Sequence, residues 1–340
     1  MDDCHSQIVV LFNEDIQVTR GEAQDLTALQ GTATTAQSVY DALTSLGYAT
    51  VKIAVRDSLE DLEARLGSFS PQSTFIFNNC DGFAGNNHDA VKVVRLIERL
   101  GFPHTGAPAD AVELCIDKPR SKERLIRFGV PTPMYQVFKR PRGKCSLNLP
   151  VIVKPSEEDG SIGINLDSVV CVKEKLLPRV AHVIDSYQEP VVVEEFIPGR
   201  ELTVAMLGNQ SIEILPIAEQ NYALIDDPMK WLITYEAKWD PASPYYHDIT
   251  SIIPAPLTPE EARVVRCAAE TSFRAMGLRD FARIDMRFYN NTPYVIDINE
   301  LPDLAPDAGF WKSAQASGRS YPQMCEGILR TAFEREGWTR

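Results

Sequence analysis

The stretch ARIDMRFYNNTPYVIDINELP, residues 282–302, decides how this chain is read. Two runs of alternating polar and apolar residues flank a pair of asparagines, the pattern of a β-hairpin. A three-residue turn over 290–292 pairs Tyr289 with Pro293, Asp285 with Asp297 and Arg283 with Asn299. Side chains alternate across a strand, so Arg283, Asp285, Asp297 and Asn299 share one face, while Ile284, Met286, Ile296 and Ile298 line the other. Like charges directly opposite each other destabilise a hairpin unless something relieves the repulsion. Either one carboxyl is protonated, or a divalent cation lies between the two. Asn299 adds a neutral oxygen, which makes an all-oxygen set suited to Mg²⁺. Arg283 beside it suits an anion held by the same metal. A solvated face, with Arg283 pairing diagonally to Asp297, is the plain alternative.

Upstream, the N-terminal part alternates between short apolar runs and helical patterns. IVVLF (8–12), ATVKIAV (49–55) and STFIFNN (73–79) read as buried strands, with helices predicted over 33–46, 58–66 and 88–100. Such β-α-β alternation predicts a doubly wound parallel sheet. Ligand loops in these sheets follow the carboxyl ends of the strands, which selects 13–22 and 79–87. Helices follow over 108–116 and 119–128, strands over 151–154 and 191–196, and a helix over 173–187. Residues 201–207 and 211–217 form a hairpin around Gly208 and Asn209. Residues 219–250 are long, polar and aromatic, the character of a lid. Thr258, Pro259 and Glu261 open a helix over 258–276 as N-cap, first turn and capping-box partner. A C-terminal helix starts at about 321.

Composition narrows the function. The chain has 340 residues, of which 44% are apolar, enough for two or three packed domains. A net charge of −13 argues against a nucleic-acid backbone as partner. The start, MDDCHSQIVVLF, lacks the basic and apolar regions of a leader, and no apolar run reaches the ~18 residues of a membrane helix. The seven cysteines are scattered without a CxxC pair, as expected of reduced thiols in a cytoplasm. The five histidines show no ligand spacing, so no zinc site is expected. His104 and Cys80 read as ordinary packing or surface residues.

VIVKPSEEDGSIGI (151–164) is a strand that delivers Lys154 into a loop with Gly160, Ser161 and Gly163. Glycines let backbone N–H groups approach phosphate oxygens, and a lysine at the strand end adds a point charge. This is not a GxxxxGK[ST] loop, and a plain surface hairpin would show the same pattern. Lys118 opens a helix after Asp117 and is a second candidate phosphate contact. In VVVEEFIPGRELTV (191–204) a strand ends in two acids, which could present backbone to an adenine edge and a carboxylate to a ribose.

These pieces, in this order, resemble the ATP-grasp superfamily, and within it the D-alanine–D-alanine ligases. The likeness rests on the two stretches just quoted, on TYEAKW (234–239), on GFPHTGAPADAVELCIDKPRSKERLIRFGVPTP (101–133), on the helix start near Pro259 and on the opening hairpin. It runs from about residue 73 to 335. It implies an α/β (α+β) chain of three domains: an N-terminal doubly wound parallel sheet over 1–113, a central ATP-grasp part over 114–195, and a C-terminal part over 196–340 that carries the lid 219–250. It implies a cytoplasmic, homodimeric enzyme without nucleic-acid or membrane partners, using ATP and Mg²⁺ (or Mn²⁺). Its substrates would be a small carboxylate and an amine, joined through an acyl phosphate.

By the same resemblance, Lys118 and Lys154 contact the ATP phosphates, and the loop 157–163 with Gly160 and Ser161 covers them. Glu194, Glu195 and Ile197 form the adenine hinge, and Glu201 meets the ribose. Lys238 reaches the γ-phosphate once the lid closes. Asp285, Asp297 and Asn299 hold the metal, and Arg283 steadies the acyl phosphate and the tetrahedral intermediate.

The sequence departs from that family at the amino-acid end. LFNEDIQVTRGEAQD replaces the family's N-terminal Gly-Gly-x-Ser-x-Glu-Arg-Glu, so its amine-binding glutamate has only Asp15, Glu22 and Asp25 as loose counterparts. Asp81 stands where a histidine is usual. Gly160 and Trp239 replace the serine and tyrosine that link lid to N-terminal domain, and Asp297 replaces a glutamate. In NELPDLAPDA, Asp303 takes a glycine's place and Ala308 a serine's. Asp303 there points to an acceptor that carries positive charge or lacks a free carboxylate; a solvated turn residue is the plain alternative. A ligase with another substrate pair is the reading that follows. A true D-alanine–D-alanine ligase and a non-catalytic ATP-binding module are the alternatives.

Overall fold

The computed structural model describes residues 7–338; Cys4 and His5 lie outside the described residues. In the first sheet, β1 (Gln7–Asn13) lies between β2 (Ala49–Val55) and β3 (Thr74–Asn79), all parallel. Both faces of β1 are buried, hence its unbroken apolar run. Ile8, Val10 and Phe12 pack on Ala36, Val39 and Leu43 of α1 (Leu26–Ser45), as well as on the C-terminal helix. Val9 and Leu11 pack on Leu62 and Leu66 of α2 (Leu59–Leu66) and on Val93 and Ile97 of α3 (Ala90–Arg99). The helix predicted over 33–46 starts earlier, at Leu26. Its first turns face the cavity described below rather than a core, so they lack apolar periodicity.

Next come α4 (Ala109–Ile116) and α5 (Lys118–Arg127), whose N-cap Asp117 accepts from Arg120 N at 3.0 Å. The second sheet holds β4 (Tyr135–Phe138), β5 (Val151–Pro155), β6 (Val169–Val170) and β7 (Val191–Glu195), in the antiparallel order β4-β7-β5-β6. Leu176, Val180 and Val183 of α6 (Lys173–Tyr187) cover one face of it.

The third sheet contains β8 (Arg200–Gly208), β9 (Ile212–Ile214) and β10 (Ala218–Asn221). After them come α7 (Tyr235–Trp239), α8 (Pro244–Asp248), β11 (Thr250–Ile252), α9 (Pro259–Ala275), β12 (Asp280–Tyr289) and β13 (Thr292–Asn299). The strand order is β11-β10-β8-β12-β13, with β9 on β8. The Thr258–Glu261 capping box opens α9 as the sequence suggests. Residues 219–250 form short, locally capped elements rather than one open loop. Val265, Ala269 and Phe273 of α9 cover Ile284 and Met286. On the other face, Phe310 of α10 (Gly309–Ala316) and Ile328 and Leu329 of α11 (Tyr321–Glu336) share a core with Ala205 and Phe281, and with Phe75 and Phe77 of the first sheet. Thus α11 ties the first sheet to the third.

The β12–β13 hairpin corrects one expectation. Its turn has two residues, Asn290 and Asn291, both left-handed (φ 48° and 59°), as a type I′ turn requires. Near the turn, Tyr289 therefore faces Thr292 and Met286 faces Val295. A β-bulge between Asp285 and Met286 then restores the predicted pairing of Asp285 with Asp297 and Arg283 with Asn299. The bulge is why Val295, not Ile296, enters the core beside Met286, while Ile296 turns to the cavity. Among the described residues no helix is long and apolar enough to cross a membrane.

Candidate functional site

A cavity of about 740 Å³ lies where the three sheets meet. It is lined by all thirteen residues to which the resemblance gives a part in nucleotide binding, metal binding or catalysis: Lys118, Lys154, Gly160, Ser161, Glu194, Glu195, Ile197, Glu201, Lys238, Arg283, Asp285, Asp297 and Asn299. At its floor, β5 presents Lys154 and α5 presents Lys118. Lys122, which sequence reasoning missed, lies one helical turn beyond Lys118 on the same face. Glu194 of β7 is 1% exposed and joins the two deeper lysines: its Oε1 is 2.8 Å from Lys154 Nζ and 3.2 Å from Lys122 Nζ. Its carboxyl would rise with burial, but the two ammonium groups outweigh that and hold it below the ordinary range. Burial drives the Lys122 ammonium down to about 8 against the pull of Glu194. The Glu194 side chain is thus committed to lysines. Glu195 and Ile197, from the end of the same strand, also line the cavity.

Lys118 donates to the Glu158 carbonyl and lies 3.5 Å from Asp159 Oδ1. Burial alone would lower its pKa; Asp159, Asp297 and their neighbours raise it instead. Glu201 is held through one oxygen, Oε2, by Arg287 at 2.9 Å and by the Tyr222 hydroxyl at 2.6 Å.

The hairpin face is assembled as predicted, with a different internal partner. Arg283 does not pair diagonally with Asp297. It grips Asp285 instead, Nε to Oδ1 at 3.0 Å and NH2 to Oδ2 at 2.8 Å. Asn299 Nδ2 also donates to Asp285 Oδ2, at 3.1 Å. The Asp297 carboxylate accepts no hydrogen bond from the described residues. Two carboxylates and an amide oxygen on one face, one carboxylate without a hydrogen bond from the described residues, form a donor set that fits a hard divalent cation.

The lid lies down over the cavity. Trp239 Nε1 donates to the Gly160 carbonyl at 2.8 Å, and a Cβ on Gly31 would lie 3.4 Å from the Trp239 ring. Tyr235 donates its hydroxyl proton to the Gln24 carbonyl, and Ser161 Oγ donates to the Ile233 carbonyl at 2.9 Å. Gly160 and Ser161 are both left-handed (φ 63° and 65°), which bends the loop toward the lid. An indole-to-backbone bond therefore spans the place where the sequence lacks the serine–tyrosine link. Lys238 lines the cavity, with Nζ 4.9 Å from the Trp239 ring centroid. Burial and then Arg283 lower its pKa.

Loop 13–22, expected at a ligand, does not line the cavity. Its Arg20 instead clamps the loop after β5 from outside, 3.2 Å from Glu158 and 3.1 Å from Glu189. Beside it, His88 contacts Glu157 and lies 3.5 Å from Glu189, a grouping the histidine spacing did not show. Asp15, Glu22 and Asp25 also lie off the cavity. Asp15 accepts from Gly85 N at 2.7 Å, and Asp25 accepts from Glu22 N at 2.7 Å. At the 79–87 loop the expectation holds, with Asn79, Cys80, Asp81 and Asn87 on the wall. Asp303 joins them from the segment after β13. His104 is packing, as expected, buried between Thr105 and Arg279. The described cysteines are all free.

The family model described as D-ala D-ala ligase C-terminus matches residues 126–330. A Sinorhizobium fredii chain described as uncharacterized protein y4sG is 32% identical over 308 residues, 88% of each chain. The D-alanine–D-alanine ligase of Methylacidiphilum infernorum is 31% identical over 302 residues, 88% of this chain and 90% of that one. In three dimensions, the D-alanine–D-alanine ligase of Bacillus anthracis in complex with ATP matches with a TM-score of 0.76, at 21% identity, over 98% of this chain and 99% of that one.

Proposed function

The chain belongs to the D-alanine–D-alanine ligase family of ATP-grasp enzymes, and from that premise we propose that it is an ATP- and Mg²⁺-dependent carboxylate–amine ligase whose substrate pair is not two D-alanines. The observation that carries the reaction is the convergence of Lys118, Lys154, Lys238 and Arg283 with Asp285, Asp297 and Asn299 on one cavity. Lysines placed along a nucleotide's phosphates neutralise charge that grows during phosphoryl transfer. Asp285, Asp297 and Asn299 would hold the cation, which supplies further neutralisation of that charge when bound.

Carboxylate is a poor electrophile. Transfer of the γ-phosphoryl group to it makes a mixed anhydride with a good leaving group. Arg283 and Lys238 face the reacting end and favour the negative charge that builds on the carbonyl oxygen when an amine attacks. The C–N bond forms, the C–O bond to phosphate breaks, and the amine sheds a proton. The closed lid keeps water from the anhydride.

What supports a changed substrate pair is the wall beyond Arg283. The candidate amine-binding acids Asp15, Glu22 and Asp25 do not line it, while Asp81 and Asp303 do. A second reading, a genuine D-alanine–D-alanine ligase, draws support from curated relatives of that name at about one-third identity. An ADP-release assay over a panel of carboxylates and amines decides. Turnover is expected only with pairs other than D-alanine alone; brisk ADP release with D-alanine as sole substrate would establish the second reading.

A further inference from the structure

Behind the loop after β5, a group of buried charges does not balance. Arg20 NH2 lies 3.2 Å from Glu158 Oε1 and 3.1 Å from Glu189 Oε2, and it forms a hydrogen bond with neither. One guanidinium thus stands against two carboxylates whose side chains are 6% and 2% exposed. Glu157 adds a third carboxylate, against His88. The nearby ammonium groups are already engaged, Lys118 beside Asp159 and Lys92 beside Asp89. His88 supplies no charge, because burial and then Arg20 push its imidazole down to about 4. Three carboxylates against one fixed cation leave two negative charges over.

The surplus is gathered at one point. Glu189, between α6 and β7, is fixed through one oxygen: the Glu157 N–H donates to its Oε1 at 2.9 Å. Its Oε2 turns to His88, 3.5 Å from Nε2. Glu157 Oε2 touches the same nitrogen. These three atoms all lie within 4.8 Å of one another. Neither His88 Nε2 nor Glu189 Oε2 has a hydrogen-bond partner among the described residues. Polar atoms buried in that way are costly, and one cation satisfies all three at once.

We propose that His88, Glu157 and Glu189 form a divalent-metal site of the zinc type, separate from the hairpin face. The charges then close: Arg20 answers Glu158, and the ion answers Glu157 and Glu189. A neutral imidazole nitrogen and two carboxylate oxygens are a zinc donor set, with the remaining position left to water. The imidazole disfavours Mg²⁺, which takes oxygen ligands. His88 lies just before α3 in the first sheet's ligand-loop region, Glu157 follows β5 of the second sheet, and Glu189 follows α6. An ion held by all three staples the loop that carries Gly160 and Ser161 to the N-terminal part of the chain. None of the three lines the cavity, so the site stands apart from the ligase reading.

Titration of the full chain with Zn²⁺ in excess Mg²⁺, read by competition with a metallochromic dye, tests this. The Mg²⁺ keeps all-oxygen sites from reporting. About one equivalent of Zn²⁺ should bind at micromolar concentration. Its affinity should fall about tenfold or more in each of His88→Ala, Glu157→Gln and Glu189→Gln, at least the scale on which losing a supporting group weakens a metal site. Glu157→Gln alters the most exposed of the three side chains, at 26%, so circular dichroism should show its fold intact even if the more buried variants misfold. Asp285→Asn, on the hairpin, should leave this affinity unchanged. Arg20→Gln removes a neighbouring positive charge but no ligand, and should tighten Zn²⁺ severalfold. Binding that survives His88→Ala or Glu157→Gln, as binding at free thiols would, overturns the site, and so does binding only at millimolar concentration. A fall in Asp285→Asn would place the ion at the hairpin instead, and weaker binding in Arg20→Gln would overturn the charge balance.

Discussion

The two ends of the cavity follow opposite electrostatic plans. At the phosphate end, the acids Asp159 and Glu194 each have a lysine within ion-pair distance, and Lys154 and Lys122 share the single carboxylate of Glu194. That end is already near balance and needs a polyanion only to satisfy the surplus of ammonium groups. At the other end, Asp81 and Asp303 face the space with no ion-pair partner among the described residues. On the proposed reading, one cavity keeps the chemistry of the family at one end and changes what it recognises at the other. The hairpin face of Arg283, Asp285, Asp297 and Asn299 marks the border between them.

The comparison breaks most visibly if the border does not hold a cation. Asp285→Asn removes the carboxylate that Arg283 and Asn299 both hold. Turnover should fall by at least about 100-fold, the scale of losing several kcal/mol of charge neutralisation. Circular dichroism should be unchanged, because Arg283 stays at the cavity. Mg²⁺-dependent ADP release at wild-type rate would refute the cation site and remove the border.

Glu194 tests the balance at the phosphate end. Glu194→Gln leaves Lys122 and Lys154 buried together without a counter-charge, which should cost about 3–5 kcal/mol of unfolding free energy. Because the folded carboxyl titrates below its ordinary value of 4.5, its contribution is present above that pH and is lost as pH falls through the folded value. The wild type should therefore lose stability on acidification below 4.5 more steeply than Glu194→Gln. Urea melts should also show that an ATP analogue rescues much of the deficit at neutral pH, since phosphate replaces the missing charge. A deficit that is the same with and without nucleotide would mean that these lysines do not face phosphates.

How far the sequence carried these readings differs between the same regions. Regular elements with a buried face, such as α6, α9 and the strand 8–12, were legible because apolar periodicity and capping residues answer to the core. The face of the β12–β13 hairpin was legible for a less direct reason. A wrong turn length and an unseen bulge at Ile296 cancel, so the register at Asp285 and Asp297 came out right while Val295 and Ile296 exchanged faces. The start of α1 was not legible, since its first turns face the cavity and the lid. Lys122 had only a four-residue spacing from Lys118 as a signal, and its burial depends on Glu194, 72 positions away. Asp81 and Asp303 were each visible as departures, but their place on one cavity wall depends on how the first and third sheets meet. No local pattern encodes that.

The smallest expected effect concerns the lid, which covers both ends. Trp239 and Gly160 stand where the resemblance expects a tyrosine and a serine, and the indole N–H reaches the Gly160 carbonyl at 2.8 Å. If this bond replaces the usual link, Trp239→Phe keeps the ring against Gly31 and loses only the donor. The loss of one neutral hydrogen bond is worth about 1 kcal/mol, or about fivefold. Because the closed lid is needed to complete the site rather than to bind nucleotide alone, the fivefold loss should appear in kcat/KM for the carboxylate and amine. The affinity for ATP, which the proposed function assigns to Lys118 and Lys154, should hardly move. An equal loss in ATP affinity would place the Trp239 contact within the phosphate end, and the two ends would then not be separable by the lid.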